Sequence, residues 1–176
     1  QLREISPLER VVSNFLAFAR TSTPHKHTFM LDELVASIIG LTQHQDEQGS
    51  FHVDASLDEA TMNGDRDQVS QILLNLTLNA IQFRGERPFD ITYMHCTRSV
   101  AGRVHDGVGV RDRGVGVPES LQEKIFEPFF STRSERPVGL GLTVCRRLID
   151  AAAGTIHVED VPGETGARFR VRLPIA

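Results

Sequence analysis

An aspartate followed by two spaced glycines is the first stretch of this sequence whose residue types could do chemistry. In VRDRGVGVP, Asp112 closes an alternating run and Gly114 and Gly116 follow it. A carboxylate accepts hydrogen bonds, and glycines let a flat ring approach the backbone. The same residues also suit a tight turn with positive φ angles. Taken alone, the stretch favours the turn.

A column of amide side chains follows one face of a predicted helix. In DQVSQILLNLTLNAIQF, Asn75, Asn79 and Gln82 lie four and then three residues apart, which places them on a common face. Asn is a poor helix former, and a surface face more often carries Lys and Glu. Since an amide oxygen is a hard ligand that suits Mg²⁺, the column is either a solvated face or a metal-binding one.

Two further stretches combine glycine or phenylalanine with a helix boundary. VGLGLTVCRRLI places Gly139 and Gly141 at the start of a helical pattern. Exposed N–H groups at such a start bind anions, although a flexible hinge is the alternative. IFEPFFSTR has three phenylalanines in five positions before a polar loop. That order is typical of a lid hinged on an apolar anchor, while Phe126 also suits the core.

The bulk composition limits the classes of protein. The chain has 176 residues, of which 40% are hydrophobic and 24% are charged, as in an ordinary globular domain. The net charge of −4 argues against a nucleic-acid partner. The sequence shows neither a membrane-spanning apolar run nor a signal peptide. Two distant cysteines favour a reduced, cytoplasmic setting, and a start at Gln1 indicates part of a longer protein.

Hydrophobic periodicity predicts the elements that must position these residues. Helices are predicted over 31–48, 66–83, 119–126 and 140–153. Strands are predicted over 51–55, 89–97, 102–112, 155–159 and 167–173, with a turn at 63–65. Because there is no regular βαβ alternation, we predict an α+β fold. It would be a two-layer α/β sandwich, with a mixed sheet and helices on one face.

The first residues predict a separate helix. Ser6, Pro7 and Glu9 form a helix-start pattern, and apolar residues spaced three and four apart follow it. Pro24 stops simple continuation of this helix. The predicted division is therefore a bundle helix over 1–22, a linker over 23–30, and a domain over 31–176.

The order of the motifs is more specific than any one of them. NLTLNA, DRGVG, FEPFF, GLGL and GETGARF occur in succession. Together they resemble the N, G1, F and G2 boxes and the last glycine box of the ATP-binding domain of sensor histidine kinases. The resemblance covers about Leu31 to Pro174. The first helix, ending FLAFAR, resembles the second helix of the dimerisation and histidine-phosphotransfer domain of that family.

The resemblance implies a Bergerat-type ATP-binding fold with ATP and Mg²⁺ as cofactors. Asp112 would accept the adenine amino group, over a floor that Gly114 and Gly116 keep clear. Asn79 would bind Mg²⁺, and Gly139 and Gly141 would lie under the phosphates. The implied nucleotide-binding residues are Asn75, Asn79, Gln82, Asp112, Gly114, Gly116, Phe126, Arg133, Gly139, Leu140, Gly141 and Leu142.

The sequence departs from the family pattern in three places. Gln82 stands where family members usually carry Lys or Arg, and only eight residues, 131–138, separate Phe130 from Gly139. Arg133 and Arg136 could supply the missing cation. None of the seven histidines has the surroundings of a phosphoacceptor. The acceptor histidine is therefore expected upstream of Gln1, and no catalytic residue is expected in this chain.

The expected function is that of a protein-histidine kinase. The chain would bind Mg-ATP and donate the γ-phosphate to the upstream phosphoacceptor domain, for relay to a response-regulator receiver domain. A cytoplasmic homodimer is expected, and the full-length protein could be membrane-anchored. One alternative is a degenerate dimerisation module, which Gln82 and the short lid favour. Another is an ATP hydrolase, which Asn75 disfavours because a neutral amide cannot take a proton from water.

Overall fold

The computed structural model describes residues 25–45, 48–132 and 139–174. Three α-helices, α1 to α3, span Leu31–Thr42, Arg66–Gln82 and Gly141–Ala151 in this part of the chain. Seven strands, β1 to β7, span His27–Met30, Ser50–Val53, Thr61–Gly64, Asp90–Val100, Arg103–Asp112, Thr155–Asp160 and Ala167–Pro174. Short 3₁₀ turns cover Gln43–Gln45, Ala55–Leu57, Glu119–Leu121 and Lys124–Phe126.

Five strands form one mixed sheet in the order β2-β4-β5-β7-β6. β2 runs parallel to β4, whereas the remaining neighbours are antiparallel. Val110 in the central strand lies opposite Tyr93 on one side and Phe169 on the other. All three side chains are buried, so they define the face of the sheet that packs against the helices.

The helices bury their apolar residues against that face. α2 contributes Val69, Ile72, Leu73 and Leu76, each at most 1% exposed, and α3 contributes Cys145 and Ile149. The Tyr93 hydroxyl reaches the core and lies 2.8 Å from Thr77 Oγ1, so its polar end is satisfied. The predicted α+β sandwich with a mixed sheet is confirmed.

The opposite face of the sheet carries arginines. In β7, Arg168 and Arg170 alternate with the buried Phe169 and Val171. Both arginines pair with Glu159 of β6, at 3.4 and 2.7 Å. Because this face is charged, it can face solvent and needs no helices to cover it. The fold therefore has two layers, the sheet and the helices on its apolar face.

A second, two-stranded sheet joins the incoming chain to the start of α2. β1 and β3 pair antiparallel, so that His27 lies opposite Gly64. Asp65 follows β3 and caps α2, since its Oδ1 accepts from the N–H groups of Asp67 and Gln68. The other oxygen of Asp65 accepts from the N–H group of His25 at 2.9 Å. One carboxylate therefore holds both the incoming chain and the first turn of α2.

The predictions of three elements were wrong, and the predicted linker contains an unpredicted strand. The helix predicted over 31–48 ends at Thr42 and is followed by a 3₁₀ turn over Gln43–Gln45, because these polar residues have no apolar face to bury. The helix predicted over 119–126 is two separate 3₁₀ turns. Part of the predicted linker is β1, and the predicted turn at 63–65 begins within β3. These strands are only four residues long, and each is stabilised by pairing with the other.

The predicted first helix lies outside the described residues. Its extent, and the domain boundary placed after residue 22, therefore stay predictions. None of the described helices is long and apolar enough to cross a lipid bilayer.

Candidate functional site

A cavity of about 430 Å³ opens between α2, the loop after β5 and the start of α3. This volume lies in the range of roughly 300–1,000 Å³ that is usual for small-molecule sites. Nine of the predicted binding residues line it: Asn75, Asn79, Gln82, Asp112, Gly116, Gly139, Leu140, Gly141 and Leu142. Residues that are up to 67 positions apart in the sequence thus meet around one space.

Backbone donors fix the carboxyl group of Asp112. Its Oδ1 accepts from the N–H of Gly114 at 2.7 Å and from the N–H of Ala167 at 3.4 Å. No described residue donates a hydrogen bond to the other oxygen. Burial raises the pKa of this carboxyl group, and the two N–H groups offset part of that rise. The site therefore presents an oriented acceptor, one oxygen of which has no partner among the residues that the structure describes.

The two glycines after Asp112 allow segments of backbone to approach each other. A Cβ atom on Gly114 would lie 2.6 Å from the carbonyl oxygen of Phe83. Gly116 has a φ of 76°, which side-chain-bearing residues rarely adopt. Both glycines were expected to keep the floor of the cavity free of side chains. Gly116 does line the cavity, but Gly114 does not. Gly114 instead lets the loop pack against the end of α2.

The three amides of the predicted column on α2 have different surroundings. Asn79 and Gln82 are half-buried and line the cavity. The side chain of Asn79 has no hydrogen-bond partner among the residues that the structure describes. Asn75 is only 5% exposed, and its Nδ2 donates to the carbonyl oxygen of Gly141 at 3.3 Å. Asn79 is thus available to a ligand, whereas Asn75 is engaged with α3.

The start of α3 presents free backbone donors at the cavity wall. Leu140 is the N-cap residue, and no side chain of the described residues caps the helix there. The N–H groups of the first turn therefore lack intrahelical partners and form a site for anions. Gly139 enters this turn with a φ of 41°, and a Cβ atom on it would lie 2.3 Å from the carbonyl oxygen of Phe130. Glycine is required at this close approach.

Two predicted residues do not lie on the cavity wall. Phe126 is buried in the core and does not line the cavity. The Arg146 guanidinium lies 4.5 Å from the centre of its ring. The structure thus places Phe126 in the core, where an aromatic ring is more stable than facing the cavity, and its role at the nucleotide site stays a prediction. Arg133 lies in 133–138, outside the described residues.

Sequence reasoning missed the apolar part of the wall. The cavity is also lined by Leu78, Val115, Val117, Leu121, Ile125, Phe130, Ala167 and Phe169. Such residues have the same pattern as core residues in a sequence. The alternation of β7 does place Ala167 and Phe169 on the helix-facing side, but it does not separate cavity wall from core.

The donor set suits a metal that brings its own ligands. The described ranges contain no group of three or more His, Cys, Asp or Glu residues that could hold a metal ion. Mg²⁺ commonly takes few protein ligands and completes its shell with phosphate oxygens and water. The unpartnered amide of Asn79 fits such a role.

A family comparison agrees with this geometry. Residues 64–176 match the family described as histidine kinase-, DNA gyrase B- and HSP90-like ATPases. The match includes α2, the loop after β5 and the start of α3. The chain belongs to this family, and its domain is an ATP-binding domain of the histidine-kinase type.

Two of the relatives are named as kinases. The chain is 34% identical over 179 residues to the signal transduction histidine-protein kinase AtoS of Escherichia coli K12, covering 99% of this chain. It is 31% identical to sporulation kinase A of Bacillus subtilis, covering 97%. In both cases it spans only 28% of the relative's length.

Solved structures show the same fold. The catalytic domain of histidine kinase ThkA superposes with a TM-score of 0.68 at 32% identity, covering 85% of this chain and 95% of that one. ThkA in complex with the response regulator protein TrrA superposes with a TM-score of 0.74 at 30% identity. That match covers 98% of this chain and 48% of ThkA.

Proposed function

We propose that this chain binds Mg-ATP in the cavity beside α2 and donates the γ-phosphate to a histidine outside this chain. The observation that carries the proposal is the half-satisfied carboxyl group of Asp112. Backbone N–H groups donate to its Oδ1 and orient it. A donor group of the ligand would hydrogen-bond the other oxygen. The uncapped start of α3 lies on the wall of the same cavity.

Asp112 would select adenine. The exocyclic amino group of adenine is a donor and matches the free carboxyl oxygen. Guanine has a carbonyl oxygen at that place on its ring, and two acceptors repel each other. Apolar side chains such as Val117 and Phe169 would contact the purine faces.

Asn79 and the start of α3 would hold the triphosphate. Asn79 would bind Mg²⁺ together with phosphate oxygens, and the ion would supply neutralisation of phosphate charge. The N–H groups from Gly139 to Leu142 would bind the phosphates directly. Gln82 can donate a hydrogen bond but carries no charge, so we assign the missing cation to Arg133.

Phosphoryl transfer would use an acceptor from another segment. All seven histidines of the chain lie in described residues, and none of them lies in an α-helix. The chain would act with a phosphoacceptor domain, in a homodimer, and pass the phosphoryl group to a response regulator. The complex of its relative ThkA with TrrA supports this partner.

Hydrolysis of ATP is a weaker candidate. A general base would have to stand near Asn75, whose amide cannot accept a proton and is engaged with Gly141. A degenerate module that binds no nucleotide is the remaining alternative.

Calorimetric titration with ATP and GTP, with Mg²⁺ and with a chelator, tests the binding proposal. We expect ATP binding that depends on Mg²⁺ and is stronger than GTP binding. Absence of ATP binding would favour the degenerate module. Transfer is tested with γ-labelled ATP. We expect acid-labile label on the full-length protein, outside this chain, and no label on this chain alone.

A further inference from the structure

Two side chains hold the carbonyl oxygens of the glycines that lead into α3. The amide of Asn75 donates to Gly141 O at 3.3 Å, and the hydroxyl of Thr143 donates to Gly139 O at 3.3 Å. Both side chains are almost buried, with residue exposures of 5% and 6%. Because a carbonyl oxygen only accepts, each side chain must act as the donor.

Fixing these carbonyl groups also fixes two N–H groups. A trans peptide is planar, so its C=O and its N–H point in opposite directions. Holding Gly139 O orients the N–H of Leu140, and holding Gly141 O orients the N–H of Leu142. Glycine restricts backbone rotation least of all residues. The side-chain contacts therefore supply the order that the two glycines do not.

Asn75 also connects the loop to the interior. Its side chain lies beside the thiol of Cys145, which is fully buried. Burial raises the pKa of Cys145 to about 12, so the thiol stays protonated and can donate to Ile72 O at 3.8 Å. The Asn75–Gly141 and Cys145–Ile72 hydrogen bonds thus join α2 to α3 at the level of the loop. An apolar residue at 75 would avoid the cost of burying an amide.

We infer that Asn75 and Thr143 are positioning residues that orient the N–H groups of Leu140 and Leu142 towards the nucleotide phosphates. They act through the backbone and touch no nucleotide. The inference rests on the proposed function, and it changes the role of Asn75 from a nucleotide contact to a support of the phosphate-binding loop.

Nearly isosteric variants test it. Thr143→Val and Asn75→Leu remove the donors with little change in shape and without adding charge. We expect each variant to bind ADP about tenfold more weakly than the wild type. This loss corresponds to about 1.4 kcal/mol, which is near the upper value for one neutral hydrogen bond. Binding of adenosine, which has no phosphates, should stay within about twofold. Thr143→Ser retains the hydroxyl and should restore ADP binding.

Calorimetry with ADP and a chemical-shift titration with adenosine give the two affinities. Equal losses of affinity for ADP and adenosine, or no loss of affinity for ADP, would overturn the inference. Neither result would contradict ATP binding by the wild type. A wild-type chain that binds neither ligand would overturn the proposed function and this inference with it. In the wild type, the amide resonances of Leu140 and Leu142 should shift with ADP and not with adenosine. Unshifted resonances would overturn the inference even if the variants failed to fold.

Discussion

Asp112 and Gly166 are in backbone contact: a Cβ atom on Gly166 would lie 2.0 Å from the carbonyl oxygen of Asp112. Gly166 has a φ of 104° and is buried in the turn between β6 and β7. The contact presses this turn against the end of β5. It thereby places the N–H group of Ala167, the next residue, near Oδ1 of Asp112.

We expect Gly166→Ala to cost much more stability than Gly163→Ala. Gly163 lies in the same turn with a φ of 77°, and a Cβ atom there would meet nothing within 4 Å. For the Gly163→Ala control, the free energy of unfolding should fall only by the cost of the left-handed backbone conformation, about 1–2 kcal/mol. Gly166→Ala adds a clash with backbone that cannot move aside cheaply. Urea unfolding of both variants measures the difference, and equal losses would contradict the contact.

Asp112→Asn should remove adenine binding while keeping the fold. The amide oxygen can still accept from Gly114 and Ala167, but the amide NH₂ replaces the free acceptor. Two donors then face each other, and adenosine affinity should fall by about 1–3 kcal/mol. Thermal stability should not fall, because a buried charge has been removed. Adenosine titration and thermal unfolding check this, and unchanged affinity would exclude Asp112 as the adenine contact.

The raised pKa of Asp112 predicts opposite pH dependences for stability and binding. The folded state favours the protonated carboxyl. Its contribution to the free energy of unfolding is therefore fully present below the unfolded-state pKa, and it is lost as pH rises through the folded-state pKa. Adenosine affinity should instead fall as pH drops through the folded-state pKa, because the acceptor becomes protonated. Both dependences should be absent in Asp112→Asn, and a variant that keeps them would assign them to another group.

Asn79→Ala should weaken Mg²⁺-dependent binding more than it changes stability. Loss of a direct metal ligand should cost ATP affinity about tenfold or more, since even residues behind the ligands commonly cost that much. Stability should hold, because Ala is the better helix former. Gln68→Ala, which removes an amide at the other end of α2, is the control. ATP titrations with Mg²⁺ and with a chelator measure the effect, and equal losses in both would contradict metal binding.

The sequence predicted the α+β class and most of the long elements. Buried residues such as Ile72 and Leu76 repeat at helical spacing, and Val108 and Val110 alternate as in a strand. Such periodicity is local and survives in any tertiary context. β1 and β3 were missed because each depends on a partner more than 30 residues away, which a local pattern does not contain.

The candidate site was predicted by residue type and not by role. Asp112 and Asn79 both line the cavity, and their functions stay predictions. The engagement of Asn75 with Gly141 could not be foreseen, because it depends on how α2 packs against α3. The burial of Phe126 beneath Arg146 likewise depends on which face of a short turn meets the core.

The double use of Asp65 gives this domain a defined path for mechanical force. The Asp65 carboxylate and the short β1–β3 ladder connect His25 to the first turn of α2. A movement of the chain at His25 would therefore act directly on that turn. α2 is a stiff rod, and Asn79 lies about 20 Å along it at 1.5 Å per residue. A displacement of the chain at His25 would therefore be passed along this helix to the amides beside the cavity.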